Sequence, residues 1–120
     1  MNKGDIIWAR DREKHPHPIV FLKQERNGTF SACIITHEQG NGNIRMEDEH
    51  FCKVDENNNP YSIKYENTFL VHRRLSKENS WITNETVKGR LTEVGIRYVE
   101  SMIPTNTESH PDAVWNWNED

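Results

Sequence analysis

The sequence has few cysteines and no long apolar run, and each shortage excludes a class of protein. Two cysteines, Cys33 and Cys52, are too few for a disulfide framework, and the apolar surroundings of Cys33 predict a buried thiol. No apolar run approaches the ~20 residues of a membrane-spanning helix. The N-terminus also lacks the basic-then-apolar layout of a secretory signal peptide. We therefore expect a cytoplasmic protein without a membrane partner.

Positive charge is also in short supply, because 15 Lys and Arg residues stand against 19 Asp and Glu residues, for a net charge of −4. This balance argues against a surface that binds nucleic acid over its whole area, since phosphate neutralisation supplies most non-specific affinity. Contact with RNA would need a local basic patch. Residues that avoid the acidic clusters at 47–49 and 118–120 can form one: Arg10, Arg12, Lys14, Lys23, Arg26, Arg73, Arg74, Lys88 and Arg90.

The first third of the chain predicts three successive β-strands. They cover Lys3–Arg10, His15–Leu22 and Thr29–Thr36, each with the β-branched or aromatic residues that a pleated, partly buried surface prefers. Asn27-Gly28 is a strong hairpin signal, because both residues tolerate the positive φ of a tight turn. The second and third strands should therefore pair as a hairpin.

Further short elements follow. The pattern predicts one helical turn within 46–51, a short strand at Phe51–Val54, a turn at Asp55–Pro60, strands at Tyr61–Tyr65 and Thr68–Leu75, and a short turn from Ser76 to Trp81. An amphipathic helix comes last, capped by Thr92, weakened by Gly95 and ended by Pro104. Its predicted apolar face is Leu91, Val94, Tyr98, Val99 and Met102.

At 120 residues the chain is long enough for one domain with its own core. Short strands with tight turns and one C-terminal amphipathic helix predict a mainly β (α+β) fold, a small and strongly bent antiparallel sheet or barrel. We place this domain at residues 1–104. Residues 105–120 form an acidic tail that contains Trp115 and Trp117.

The order of these motifs resembles the PemK/MazF family. The resemblance covers about residues 3–103 and is carried by Gly4-Asp5-Ile6, the strand led by Pro18, the strand ending in Ile35-Thr36, the apolar strand running into Arg73-Arg74, and the boundary Gly89-Arg90-Leu91-Thr92. It implies an SH3-like barrel with a closing helix. It also implies a homodimeric toxin of a type II toxin–antitoxin pair, inhibited by a cognate antitoxin, that cleaves single-stranded messenger RNA without a metal or another cofactor.

The resemblance also implies an active-site pair. The family has an Arg before the Pro of the second strand and a Thr at the end of the third, and these positions are His17 and Thr36 here. A histidine can move protons near neutral pH, but it lacks arginine's permanent charge and five-donor fork. Another cation would then stabilise the phosphate, and Arg73 or Arg74, beside His72, is the candidate. We expect His15, His72, Arg73 and Arg74 to bind RNA.

Other interpretations of the same residues stay open. The barrel could be a non-catalytic module that binds protein or nucleic acid, and the segment from His15 to Pro18 could be a solvated extended loop. His15 and His17 could share a metal, but no further ligand spacing completes a recognised site. The acidic tail either has no functional role or occupies the groove that would bind RNA and so inhibits the protein. The enzyme interpretation requires His17, Thr36 and the two arginines to converge in one cleft.

Overall fold

The structure is a computed structural model of the chain. It describes residues 1–10, 16–25, 28–37, 39–40, 42–61, 67–79 and 87–103, and within these ranges the side chains of residues 9, 10, 16, 17, 72, 73 and 75 are left out. The predicted tail, 105–120, and most of the predicted strand at Tyr61–Tyr65 lie outside the described residues. Within the described ranges, no helix has the length and apolar character needed to cross a membrane.

The described residues form a six-stranded antiparallel sheet with one helix, in the order β4-β5-β3-β2-β1-β6. The strands are β1 (Asp5–Arg10), β2 (Pro16–Gln24), β3 (Thr29–Thr36), β4 (Ile44–Arg45), β5 (Phe69–Glu78) and β6 (Gly89–Arg90), and the helix is α1 (Glu93–Met102). A 3₁₀ turn at Asp48–His50 matches the single helical turn predicted there. The fold is therefore a small β-rich α+β fold, as predicted. Its closure into an SH3-like barrel stays a prediction.

The β2–β3 hairpin forms where the sequence places it. The amide of Glu25 donates to the carbonyl of Thr29 at 2.9 Å, which closes the turn. Gly28 has a φ of +73°, a conformation that glycine adopts without steric cost. The local turn signal and the tertiary pairing therefore agree.

Apolar residues cover both faces of the sheet, in two separate groups. The helix-side cluster packs under α1 and contains Ile6, Val20, Leu22, Cys33, Ile35, Met46, Phe51, Leu70, Leu91, Val99 and Ile103. The opposite-face cluster contains Ile7, Ile19, Phe21, Phe30, Ala32, Ile34 and Val71. Because successive residues of a strand point to opposite faces, membership of a cluster tells which face a strand position occupies.

Two bulges interrupt the pairing. On β2, Phe21 pairs with Ala32 but Lys23 pairs with Ser31, so Leu22 is an additional residue on β2. On β5, the pairing passes from Arg74 to Leu70 while β3 advances only from Cys33 to Ile35, so the additional residues lie in 71–73. Bulges redirect side chains and increase strand twist, and they are common beside functional sites.

Three local predictions need correction. Ser76 does not begin a turn, because Ser76 to Glu78 continue β5 along Thr29 to Ser31. The predicted strand at Phe51–Val54 is reduced to two isolated bridges, Phe51 with Leu91 and Val54 with Pro60. Val94 is 49% exposed and is not part of the core, whereas Gly95 on the same turn of the helix is buried. The sheet contacts the helix along a narrower stripe than the apolar spacing indicated.

The helix begins as predicted at Thr92. Its hydroxyl accepts a hydrogen bond from the Gly95 amide at 3.0 Å and donates to the Glu49 carbonyl at 2.7 Å. The Thr92 amide also donates to the His50 carbonyl at 2.9 Å. Thr92 therefore caps the helix and joins it to the 3₁₀ turn.

Replacing Thr92 with Ala should lower the free energy of unfolding by about 1–2 kcal/mol, because the helix loses its cap and the Glu49 carbonyl loses a donor. Urea unfolding of the purified variant measures the loss. Ser101→Ala, which removes a hydroxyl from the exposed end of the same helix, is the matched control and should cost less than about 0.5 kcal/mol. Equal losses in the two variants would show that Thr92 has no capping role.

Candidate functional site

The two predicted catalytic residues lie at one end of the sheet. The β2–β3 pairing joins Val20 to Cys33 and Ile19 to Ile34. Continuing the same register by two residues brings the backbone of His17 opposite Thr36, the last residue of β3. On its other side, His17 pairs with Ala9 of β1. The side chain of His17 lies outside the described residues.

Thr36 occupies the face of the opposite-face cluster. It alternates along β3 with Ala32 and Ile34 of that cluster, and it pairs with Phe69 on β5. Its side chain is half-buried, at the point where the buried part of the strand ends. A hydroxyl in this position is close to solvent and remains backed by a rigid sheet, as a binding site requires.

The structure describes the predicted RNA-binding residues only in part. The backbones of His72 and Arg73 lie in the β5 bulge, on the strand next to Thr36, but their side chains lie outside the described residues. His15 lies outside them entirely. Arg74 is described, and it pairs with Cys33 of the helix-side cluster.

Arg74 does not share a face with Thr36. It is only 4% exposed, and it lines a small pocket together with Leu22 and Ile103, both members of the helix-side cluster. Arg74 therefore does not converge with Thr36 in one cleft, so the enzyme interpretation that required both arginines there fails, and only a site with Arg73 alone can still be proposed. A cation for the His17–Thr36 end of the sheet has to come from elsewhere, and Arg73, which precedes Arg74 in the β5 bulge, is the remaining predicted candidate.

Arg90, which the sequence offered for a basic patch, is engaged within the protein. Its Nε donates to Oδ1 of the buried Asp5 at 2.9 Å, and its Nη1 lies 3.5 Å from Oε2 of Glu56. The hydrogen bond to Asp5 raises the pKa of Arg90. This pair holds β6 against β1 and leaves Arg90 poorly suited to phosphate binding.

Cys33 is the buried thiol that the sequence predicts. It is fully buried in the helix-side cluster, and both cysteines are free. Burial raises the pKa of Cys33 from 9.0 to about 12, and the nearby Arg74 offsets part of this effect. The thiol is therefore neutral and unreactive in the folded protein, which argues against a role as a nucleophile.

This raised pKa predicts a loss of stability in alkali. The stabilisation is complete below pH 9.0, where the unfolded thiol is still protonated, and it falls as the pH rises toward about 12, because only the unfolded state then loses the proton. Between these values the free energy of unfolding should drop by about 1.4 kcal/mol per pH unit. Urea unfolding of Cys33→Ala should show a slope shallower by that amount, while Ile34→Val, which removes no titratable group from the same strand, keeps the native slope. Identical slopes in both variants would contradict the buried thiol.

Among the described residues, no group of three or more His, Cys, Asp or Glu side chains could hold a metal ion. The sequence reasoning named Lys23 only as one of several scattered basic residues and Arg74 as a candidate RNA-binding cation, and it missed that Lys3 and Glu100 line the same pocket as both. The spacing of residues along the chain does not indicate this pocket, because its lining residues come from four distant segments of the sequence.

Comparison with known proteins identifies no relative of this chain. No family model, curated protein or solved structure matches the chain. The function is therefore inferred from the sequence motifs and the geometry of the sheet.

Proposed function

We propose that this protein is a metal-independent endoribonuclease that cleaves single-stranded RNA at the His17–Thr36 end of the sheet. The observation that supports the proposal best is the β2–β3 register, which, continued by two residues, sets the backbones of His17 and Thr36 opposite each other. Directly opposed residues of antiparallel strands have Cβ atoms about 4.5–5.5 Å apart. One phosphodiester can span such a pair.

The reaction needs only a proton acceptor and groups that stabilise charge. His17 takes the proton of the ribose 2′-hydroxyl, and the 2′-oxygen then bonds to phosphorus. The bond from phosphorus to the 5′-oxygen breaks, and that oxygen takes a proton from water. The Thr36 hydroxyl donates a hydrogen bond to a non-bridging phosphate oxygen. The products are a 2′,3′-cyclic phosphate and a 5′-hydroxyl.

Arg73 completes the proposed site. Its backbone lies in the β5 bulge, and β5 pairs with β3 beside Thr36. The permanent charge of a guanidinium supplies what a histidine in place of arginine cannot, namely stabilisation of the pentacovalent phosphorus at any protonation state of His17. We assign His15 and His72 to contacts with the flanking RNA.

The proposed cellular role is based on the resemblance of the sequence motifs to the PemK/MazF family. We propose that the protein acts in the cytoplasm as the toxin of a type II toxin–antitoxin pair, as a homodimer, and that a cognate antitoxin protein inhibits it. Expression without the antitoxin should then arrest growth.

A non-catalytic binding module is the second candidate. It is favoured by the position of Arg74, which lies on the helix side and not beside Thr36, and by the net charge of −4. Such a module would bind RNA or a protein through the same end of the sheet and leave the chain of the ligand intact.

Incubation with a long, unstructured RNA in the presence of a chelator distinguishes the two candidates. The nuclease proposal predicts fragments that carry 2′,3′-cyclic phosphate and 5′-hydroxyl ends. Intact RNA that is nevertheless retained by the protein would favour the binding module. Fragments with 5′-phosphate ends would contradict the proposed chemistry, because that product requires attack by water and not by the 2′-hydroxyl.

A further inference from the structure

The helix side of the sheet carries a small pocket that the proposed reaction does not use. It lies where the N-terminal segment, the β2 bulge, β5 and the last turn of α1 meet, and its lining residues are Lys3, Leu22, Lys23, Arg74, Glu100 and Ile103. Three of these side chains are positive and one is negative. The pocket therefore has an excess of positive charge.

Arg74 gives this pocket its strongest anion-binding group. The residue is only 4% exposed, so hydrogen bonds from its guanidinium are less weakened by water than those of a surface arginine. A guanidinium has five N–H donors in a rigid fork, and it can keep its contacts within the protein while it donates to a ligand. This fork matches the oxygens of a phosphate.

The two lysines lie at the more exposed side of the pocket. Lys23 is exposed and follows the additional residue of the β2 bulge, which turns its side chain out of the regular alternation. Lys3 is held by Glu100, whose Oε2 lies 2.6 Å from its Nζ, and the Lys3 side chain remains 47% exposed. The exposed Lys23 ammonium can approach a ligand directly, whereas the charge of Lys3 is partly neutralised by Glu100.

Negative charge near the pocket weakens this attraction but does not cancel it. Glu100 offsets one cation, and the carboxyl end of α1 adds about −0.5 of an elementary charge near Ile103. The charge of the exposed Lys23 exceeds that partial charge even when the internal contacts of Arg74 are assumed to neutralise the guanidinium. The remaining field favours an anion.

We propose that this pocket is a phosphate-binding site, separate from the His17–Thr36 site. Its cavity volume of about 20 Å³ admits one phosphate oxygen, and the rest of the group stays at the mouth of the pocket. The phosphate group can belong to a small monoester or to the backbone of RNA, since both present the same oxygens to Arg74 and Lys23. The proposal stands whether or not the protein cleaves RNA.

Titration with inorganic phosphate, followed by NMR of the backbone amides, tests the site. We expect saturable shifts confined to Lys3, Lys23, Arg74 and Ile103. Lys23→Glu should weaken the binding about tenfold or more, because it replaces an attractive charge with a repulsive one. Lys53→Glu is the matched control, since Lys53 is exposed, is paired with Asp48 and does not line the pocket.

A second variant should act with the opposite sign. Glu100→Gln removes the carboxylate found among the described lining residues and releases Lys3, so phosphate should bind several-fold more tightly. Neither variant removes the buried Arg74, so both should fold. Shifts that are spread over the whole surface, equal losses in Lys23→Glu and Lys53→Glu, or no tightening in Glu100→Gln would overturn the proposal.

Two short oligonucleotides that resist cleavage identify the source of the phosphate. One carries a 5′-phosphate and the other a 5′-hydroxyl, and both have 2′-O-methyl riboses. Stronger shifts with the 5′-phosphate at the pocket amides would indicate a monoester, and equal shifts would indicate the RNA backbone. An absence of pocket shifts with both oligonucleotides and with inorganic phosphate would contradict the site, even if RNA cleavage is observed.

Discussion

Replacing His17 with Ala should lower the rate of RNA cleavage by about 10²–10⁴, because general-base catalysis by a positioned side chain contributes a factor of this size. The thermal unfolding midpoint should change little, since His17 is the second residue of β2 and lies at the end of the strand. Single-turnover cleavage of a labelled RNA, with a chelator present, measures the loss.

Two further variants separate proton transfer from structural support. His17→Gln keeps a polar side chain but cannot accept the proton, so it should be as inactive as His17→Ala. Gln24→Ala, at the other end of the same strand, is the matched control and should keep the native rate. If His17→Gln retained most of the activity, His17 would not be the base, and the binding-module interpretation would gain support.

The second large effect concerns Gly95. In an exposed helix, replacing Gly with Ala stabilises the protein by ~1 kcal/mol. Here a Cβ on Gly95 would lie 2.2 Å from the His50 carbonyl oxygen and 3.0 Å from its carbon. These are backbone atoms of the 3₁₀ turn, so they cannot move aside as a side chain would. Gly95→Ala should therefore lower the free energy of unfolding by about 3 kcal/mol.

Urea unfolding tests this value directly. Val94→Ala serves as the neighbouring control, because Val94 is 49% exposed and should cost less than about 1 kcal/mol. The stacking of His50 on Tyr98, with ring centroids 4.2 Å apart, should be lost together with the close approach of the helix. A Gly95→Ala protein more stable than the native one would show that α1 does not pack against the 3₁₀ turn in this way.

Gly95 shows where sequence reasoning ends. From the sequence, the glycine weakens the helix, and that is correct for the helix alone. In the folded protein, the missing side chain of Gly95 allows the backbone of His50, more than 40 residues earlier in the chain, to pack against the helix. The apolar pattern of the helix gives no information about this long-range contact. Apolar spacing also wrongly predicts that Val94 belongs to the core, because the spacing does not reveal how wide a stripe of the helix the sheet covers.

The strands themselves were predictable, because alternation, the Asn27-Gly28 turn and the Thr92 cap are local signals. The register at the candidate site was not. Near the turn, Gln24 pairs with Phe30 and Lys23 with Ser31, and that register continued without interruption would set His17 opposite His37. The bulge at Leu22 shifts the pairing by one residue and brings Thr36 there instead. No residue type in this stretch indicates such a shift.

The measurement that tests the account most directly is a double-mutant cycle on RNA cleavage with His17→Ala, Thr36→Ala and the combined variant, with Thr29→Ala at the other end of β3 as the control. If both side chains act on one phosphodiester, each single change should cost at least about 100-fold, and the pair should cost little more than the worse single change. Native rates in the single variants, or losses that simply multiply, would contradict a shared site.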